Sequence, residues 1–146
     1  MINWMVEVTH NFKCSDHSFF LAVTLMDRYC KNTVNTILTL EGDLHIMGVT
    51  CLFIASKFED KNPLTLYQIV KGISHGKFTR EDIKAYEIRI LKCISYKVGS
   101  CPSLWHFLEI ELQDKEDHIQ HLICLFLAKL TCHDYHFTSI KPSILA

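Results

Sequence analysis

LHIMGVTCLFIASKFED, residues 44–60, decides how this chain folds. From Leu44 to Ala55 it is apolar nearly all the way round a helix, and it then stops in Lys57, Phe58, Glu59 and Asp60. A helix without a polar face is one wrapped by others, so this helix, roughly 42–58, is expected at the centre of a bundle. Glu41 and Asp43 suit the positive end of its dipole. The DKNP that follows ends it, because Pro63 cannot continue the hydrogen bonding and restricts the residue before it. The charged end has two readings. Either the chain is surfacing, or it offers a charge and an aromatic ring to a partner.

On either side the apolar spacing is helical. INWMVEVTHNF, residues 2–12, puts Ile2, Met5, Val6 and Phe12 on one side. Ser15 or Asp16 can cap a second helix, HSFFLAVTLMDRYCK, that buries Phe19, Phe20, Val23, Met26 and Tyr29 or Cys30. Asp27 and Arg28 fall in its last two turns, and NTVNTILTLEG reads as a loop. After Pro63 comes a short fourth helix through LTLYQIVKGI. Thr79 caps a fifth, REDIKAYEIRILKCIS, with Ile83, Tyr86, Ile90, Leu91 and Ile94 in a stripe. PSLWHFLEIEL and a helix after a cap at Asp114 complete the reading. No alternating strand pattern exceeds four residues. The chain reads as all-α, with five helices closing by about residue 95.

The dip at YKVGSCPS is the best internal boundary, dividing 1–97 from 98–146. The second piece has too few helices to wrap a centre of its own. Its apolar faces must lie on the first five helices, on a partner, or on further sequence.

Composition narrows the class. The 146 residues are 49% hydrophobic and 21% charged, as in a compact core rather than a disordered chain. Fifteen basic and sixteen acidic residues leave a net charge of −1, which favours neither nucleic acid nor an acidic membrane. The apolar runs are too short and interrupted to span a bilayer. MINWMVEV has no basic n-region, so seven cysteines, an odd number, read as reduced intracellular thiols.

Catalytic motifs are missing. The five glycines form neither a GxGxxG nor a GxxxxGK[ST] loop, and no serine occupies a G-x-S-x-G turn. His118, His121 and Cys124, with Cys132, His133 and His136, invite a zinc reading. Structural zinc favours paired knuckles, however, and there is no C-x2-C. Buried cysteines and solvated histidines are the plainer account, so no metal and no cofactor is expected.

INWMVEV, FFLAVTLMDRYC, LHIMGVTCLFIASKFED and FTREDIKAYEIRILKCISYKVGSCPSLWHFL resemble the cyclin box in order, spacing and type. AKLTCHDYHFTSIKPSILA resembles the start of the second cyclin fold of mitotic, B-type cyclins. The resemblance implies a five-helix cyclin fold around an apolar third helix, followed by part of a second one, and it reads as short at both ends. It also implies a regulatory subunit, not an enzyme. Such a subunit would activate a cyclin-dependent kinase of the PSTAIRE type in mitotic control, in nucleus and cytoplasm.

By the same resemblance, Lys57 and Glu87 would contact the kinase, with Phe58, Leu91 and Tyr96 giving apolar contact. An apolar surface edged by one cation and one anion suits an amphipathic helix. The competing reading is that Lys57 and Glu87 merely bridge each other on a solvated surface. A second site is implied for Arg-x-Leu peptides, with Trp4 and Leu44 as apolar members and Glu7 as the acid. His45 stands there in place of the usual glutamine.

Two departures from the family are visible. The arginine that cyclins pair with the aspartate of the second helix has no counterpart before MINW. Asp27 is therefore expected buried without a partner, reached by another cation, or protonated. The loop from Lys31 to Glu41 also looks about four residues long for the family. A transcription-type cyclin module and a truncated, kinase-incompetent scaffold are the alternative functions. A module working on nucleic acid would need a basic face, which the charge does not provide.

Overall fold

The computed structural model describes residues 1–33, 41–113, 118–134, 136–137 and 140–146, with the backbone alone at 41–43. The described residues contain helices and turns and no strand. Helix α1 spans Ile2–Asn11, α2 Asp16–Thr33 and α3 Glu41–Glu59. A π-helix, Gln68–Ile73, leads to α4 (Arg80–Cys93). Then come α5 (Leu104–Leu112), α6 (His118–Thr131) and the short α7 (Pro142–Leu145).

Helix α3 is the centre. Every residue from Ile46 to Ser56 is buried, three turns without a polar face. It packs chiefly on α2, then on α4, and also touches α1 and the π-helix. Its buried hydroxyls are satisfied locally: Thr50 donates to the Ile46 carbonyl at 2.7 Å, and Ser56 accepts from the Leu64 amide at 2.9 Å. That second bond fastens the chain just past Pro63, where α3 has ended.

Helix α2 is more buried than its pattern suggested. Besides Phe19, Phe20, Val23, Met26 and Tyr29, it buries Leu21, Ala22 and Leu25, because α1, α3, α4 and α5 all pack on it. Cys30 is only half-buried. The helix also runs on to Thr33, whose hydroxyl donates to the Tyr29 carbonyl at 2.6 Å. Asn32 and Thr33 are thus helical rather than loop. The extra loop length expected after Lys31 lies mostly outside the described residues. In α1 the inward residues are Met5, Val8 and Thr9, while Val6 and Phe12 are half-buried.

The fourth expected helix begins later, as a π-helix. Thr65 and Gln68 cap each other at its start, and the Ser74 amide reaches back five residues to Ile69 at 2.9 Å. Gly72 lets the Phe12 ring approach closely there: a Cβ would lie 2.9 Å from it. Helix α4 starts on the expected cap, with the Asp82 amide donating to Thr79 Oγ1 and Asp82 Oδ2 accepting from the Thr79 amide. Ile83, Ile90 and Ile94 are its buried stripe, with Tyr86 and Leu91 half-buried beside them.

Helix α5 lies on α2, α6 and α7. His17, at the start of α2, helps seat it. The imidazole lies 3.7 Å from Glu59 at the end of α3 and 3.5 Å from Glu109 on α5, with its ring against Trp105. Helix α6 buries only Ala128 and leaves Leu122, Ile123, Phe126, Leu127 and Leu130 exposed. Most of the apolar face of α6 is thus left open among the described residues, with only Ala128 buried and Cys124 and Leu125 partly buried against the core. The cap expected at Asp114 lies outside the described residues, and α7 had no sequence signal.

Candidate functional site

The last turn of α3 brings Lys57 to the side of α4. Its ammonium pairs with Oε1 of Glu87 and stands 4.0 Å from the centre of the Phe53 ring. The two residues singled out by resemblance therefore meet, and the bridge weighed as the alternative is formed. Glu87 is the more enclosed partner, at 17% side-chain exposure against 38% for Lys57. A bridge of this exposure adds little to stability, at most about 1 kcal/mol. Its consequence is that both charges are held at one place, next along the chain to the exposed ring of Phe58.

That apolar edge is shaped by backbone. Ser95 and Tyr96 have positive φ, +55° and +58°, so the chain doubles back after α4, with the Tyr96 amide bonded to the Leu91 carbonyl at 2.7 Å. Phe58 lies so close to Gly99 that a Cβ there would be 2.8 Å from the ring. Arg28 fixes the intervening strip by donating from Nη1 to the carbonyls of Lys97 and Val98, at 2.8 and 3.3 Å. Sequence reasoning missed Arg28 and Gly99. The lone glycine after Val98 was the available signal.

Trp4 and His45 also come together, with ring centroids 4.9 Å apart and edge to face. Phe78 also packs on His45, at 5.5 Å and perpendicular. Leu44 is 41% exposed beside them. Glu7 is exposed and lines a cavity of about 780 Å³ with Val6, Thr9, His10 and Lys13. Burial, and then the nearby charges of Lys77 and His75, hold the His45 imidazole below its ordinary pKa. Phe78 was missed as a member of this patch. It precedes the helix cap Thr79, a position where apolar residues commonly pack inward.

Asp27 is not buried. It sits exposed in an open groove of about 420 Å³, between α2 and the C-terminal segments that contribute Cys132, Phe137 and Leu145. No cation is paired with it among the described residues. The groove walls enclose the carboxyl enough to push it up to about 6.

The histidine and cysteine series of the C-terminal third does not converge. His133 lies 2.6 Å from Asn3, His136 pairs with Asp134, and the Cys132 thiol is directed at the Ala128 carbonyl. Among the described residues, no three His, Cys, Asp or Glu side chains are grouped to hold a metal, and no helix is long and apolar enough to cross a membrane.

The all-helical chain with its enclosed third helix matches a known family. The model of the cyclin N-terminal domain matches residues 1–99, and the chain belongs to the cyclin family. Along its whole length it is 31% identical to the G2/mitotic-specific cyclin-B of Arbacia punctulata, of which it covers 34%. It is 30% identical to the putative cyclin-A3-1 of Arabidopsis thaliana, covering 41% of it. With the S-phase entry cyclin-5 of Saccharomyces cerevisiae the identity is 31% and the share covered 32%. The chain thus spans 32–41% of the length of these relatives. A viral cyclin from herpesvirus saimiri shares the fold, with a TM-score of 0.76 at 19% identity, over 98% of this chain and 62% of that one.

Proposed function

We propose that the chain is a regulatory subunit that binds a cyclin-dependent kinase with a PSTAIRE-type C-helix and activates it in mitotic control. The observation that carries this is the Lys57–Glu87 pair, with the exposed Phe58 next to Lys57 in the chain, Leu91 one turn beyond Glu87 on α4 and the exposed Tyr96 bonded to the Leu91 carbonyl. An amphipathic helix laid on that edge would bury apolar residues on the rings and exchange its own charges with the pair. The free kinase holds its C-helix swung out, separating the lysine and glutamate that must pair for phosphoryl transfer. A subunit that binds only the swung-in form shifts that population, and a change from 1:99 to 99:1 needs about 5.5 kcal/mol of differential binding. Catalysis then belongs to the kinase. The unit 1–97 provides this interface, while 98–146 begins a second fold. The patch of Trp4, Glu7, Leu44 and His45 would dock Arg-x-Leu segments of substrates or inhibitors. Action in nucleus and cytoplasm is part of the same proposal.

The test is co-purification with a PSTAIRE-type kinase followed by phosphorylation of a short peptide. Wild type should bind and activate, and Lys57→Ala/Glu87→Ala should do neither. Full activation by the double variant would overturn the interface, and no complex with wild type would overturn the function.

A further inference from the structure

The patch around Trp4 continues past His45 and ends in cations. Trp4 and Glu7 are neighbours one turn apart on α1. From Trp4 the side chains follow in steps of 4.9 Å to His45, 5.5 Å to Phe78 and 5.6 Å from the Phe78 ring to Lys77 Nζ. His75 presents a second basic group from the same turn, where φ is +49° at His75 and +75° at Gly76 and the Gly76 amide is anchored to the Val70 carbonyl at 2.7 Å. Both His75 and Lys77 lie near enough to His45 to disfavour its protonation. Among the described residues, Glu7, His75 and Lys77 are in no ion pair, and all three are exposed. Ring contacts thus link Trp4 through His45 to Phe78, with the Lys77 ammonium at the Phe78 end and Glu7 one turn along α1 from Trp4.

We propose that this row docks an extended peptide in one polarity, with an Arg-x-Leu core followed by acidic residues. The proposal rests on the Arg-x-Leu docking reading of the Trp4 patch and adds its flank preference. The arginine would meet Glu7 and the leucine the apolar surface of Trp4 and Leu44. The chain after the leucine then crosses His45 and Phe78 toward Lys77 and His75. At about 3.3 Å per extended residue, the three steps from Trp4 to Lys77 span at most roughly five residues. Acidic side chains within about five positions after the leucine therefore come within reach of the Lys77 ammonium. A peptide carrying lysines there would be repelled.

The experiment is fluorescence anisotropy of labelled peptides with the full chain, comparing one Arg-x-Leu core followed by glutamates, by glutamines or by lysines. Wild type should bind the glutamate form about three- to tenfold tighter than the glutamine form, the scale of one or two exposed charge pairs, and the gap should shrink with salt. In His75→Asn/Lys77→Glu the ratio should fall to one or invert; asparagine is chosen because it tolerates the positive φ at position 75. If the neutral core peptide binds in a Trp4-dependent way but the flanks make no difference, the flank proposal is overturned and docking stands. If the double variant keeps the preference, or a scrambled acidic peptide binds equally well, the assigned polarity is wrong. If the core peptide does not bind, or binds Trp4→Ala as well as wild type, the docking reading itself falls and takes the proposal with it.

Discussion

Lys57, in the last turn of α3, pairs through Nζ with the Oε1 of Glu87 on α4, thirty residues further along the chain. Two opposite charges locked together at the edge of an apolar surface are already ordered for a partner. Much of the side-chain entropy of fixing two long side chains has been lost before any complex forms.

Lys57→Ala and Glu87→Ala should each weaken kinase binding by about 1–3 kcal/mol, with the double variant losing less than the sum because the two act as a unit. Melting temperatures of the free chain should barely move, since an exposed bridge contributes at most about 1 kcal/mol. Calorimetric titration with the kinase, beside thermal melts, separates these effects. Unchanged affinity in both single variants would leave only a surface bridge.

Gly99→Ala should act on binding more than on stability. The added Cβ displaces the Phe58 ring, which is 57% exposed and free to swing away. Kinase affinity is expected to fall severalfold, with little change in melting. Arg28→Ala should do both. It releases the Lys97 and Val98 carbonyls, costs about 1 kcal/mol in stability and loosens the strip that carries Tyr96. Equal melting of wild type and Arg28→Ala would contradict that role.

Asp27→Asn should stabilise the chain near neutral pH. The Asp27 carboxyl is raised from 3.8 to about 6, so between these values the folded state keeps a proton that the unfolded state releases. Stability from this group therefore falls as pH rises through that window, and its cost is complete above about 6. Asparagine removes the cost. Because the side chain is exposed, solvent screens the effect to a rise on the order of 1–2 °C at pH 7.5, vanishing at pH 3.5. A melting series across that range decides; a loss at pH 7.5 would mean Asp27 has a cationic partner.

Trp4→Ala should reduce phosphorylation of Arg-x-Leu substrates at least tenfold while leaving short peptides within about twofold, in the reconstituted kinase complex. The half-buried ring packs on His45, so melting of the variant is the control. Equal loss on both substrates would indicate damage to the fold instead.

The burial of α3 was legible because it needs no partner to be specified. Apolar side chains on every side of Ile46–Ala55 leave water in any arrangement, and that drive has no direction. The cap at Thr79 and Asp82 was equally plain, since both members lie within one turn. Amphipathic spacing underestimated α2, where Leu21, Ala22 and Leu25 are inward because four helices pack on it. Spacing also did not reveal the π-helix, since the apolar residues of a six-residue segment read alike at either pitch.

The sequence by itself determined an all-α chain with an enclosed third helix, because hydrophobic period and helix caps are local properties. Only the tertiary structure decided that Lys57 meets Glu87, that Phe58 rests on Gly99, and that Phe78 joins Trp4 and His45 with Lys77 beside them. It also decided that Asp27 faces an open groove. These are directional contacts between residues far apart in the chain, set by helix crossings and by turns at Tyr96 and His75 that no periodicity records.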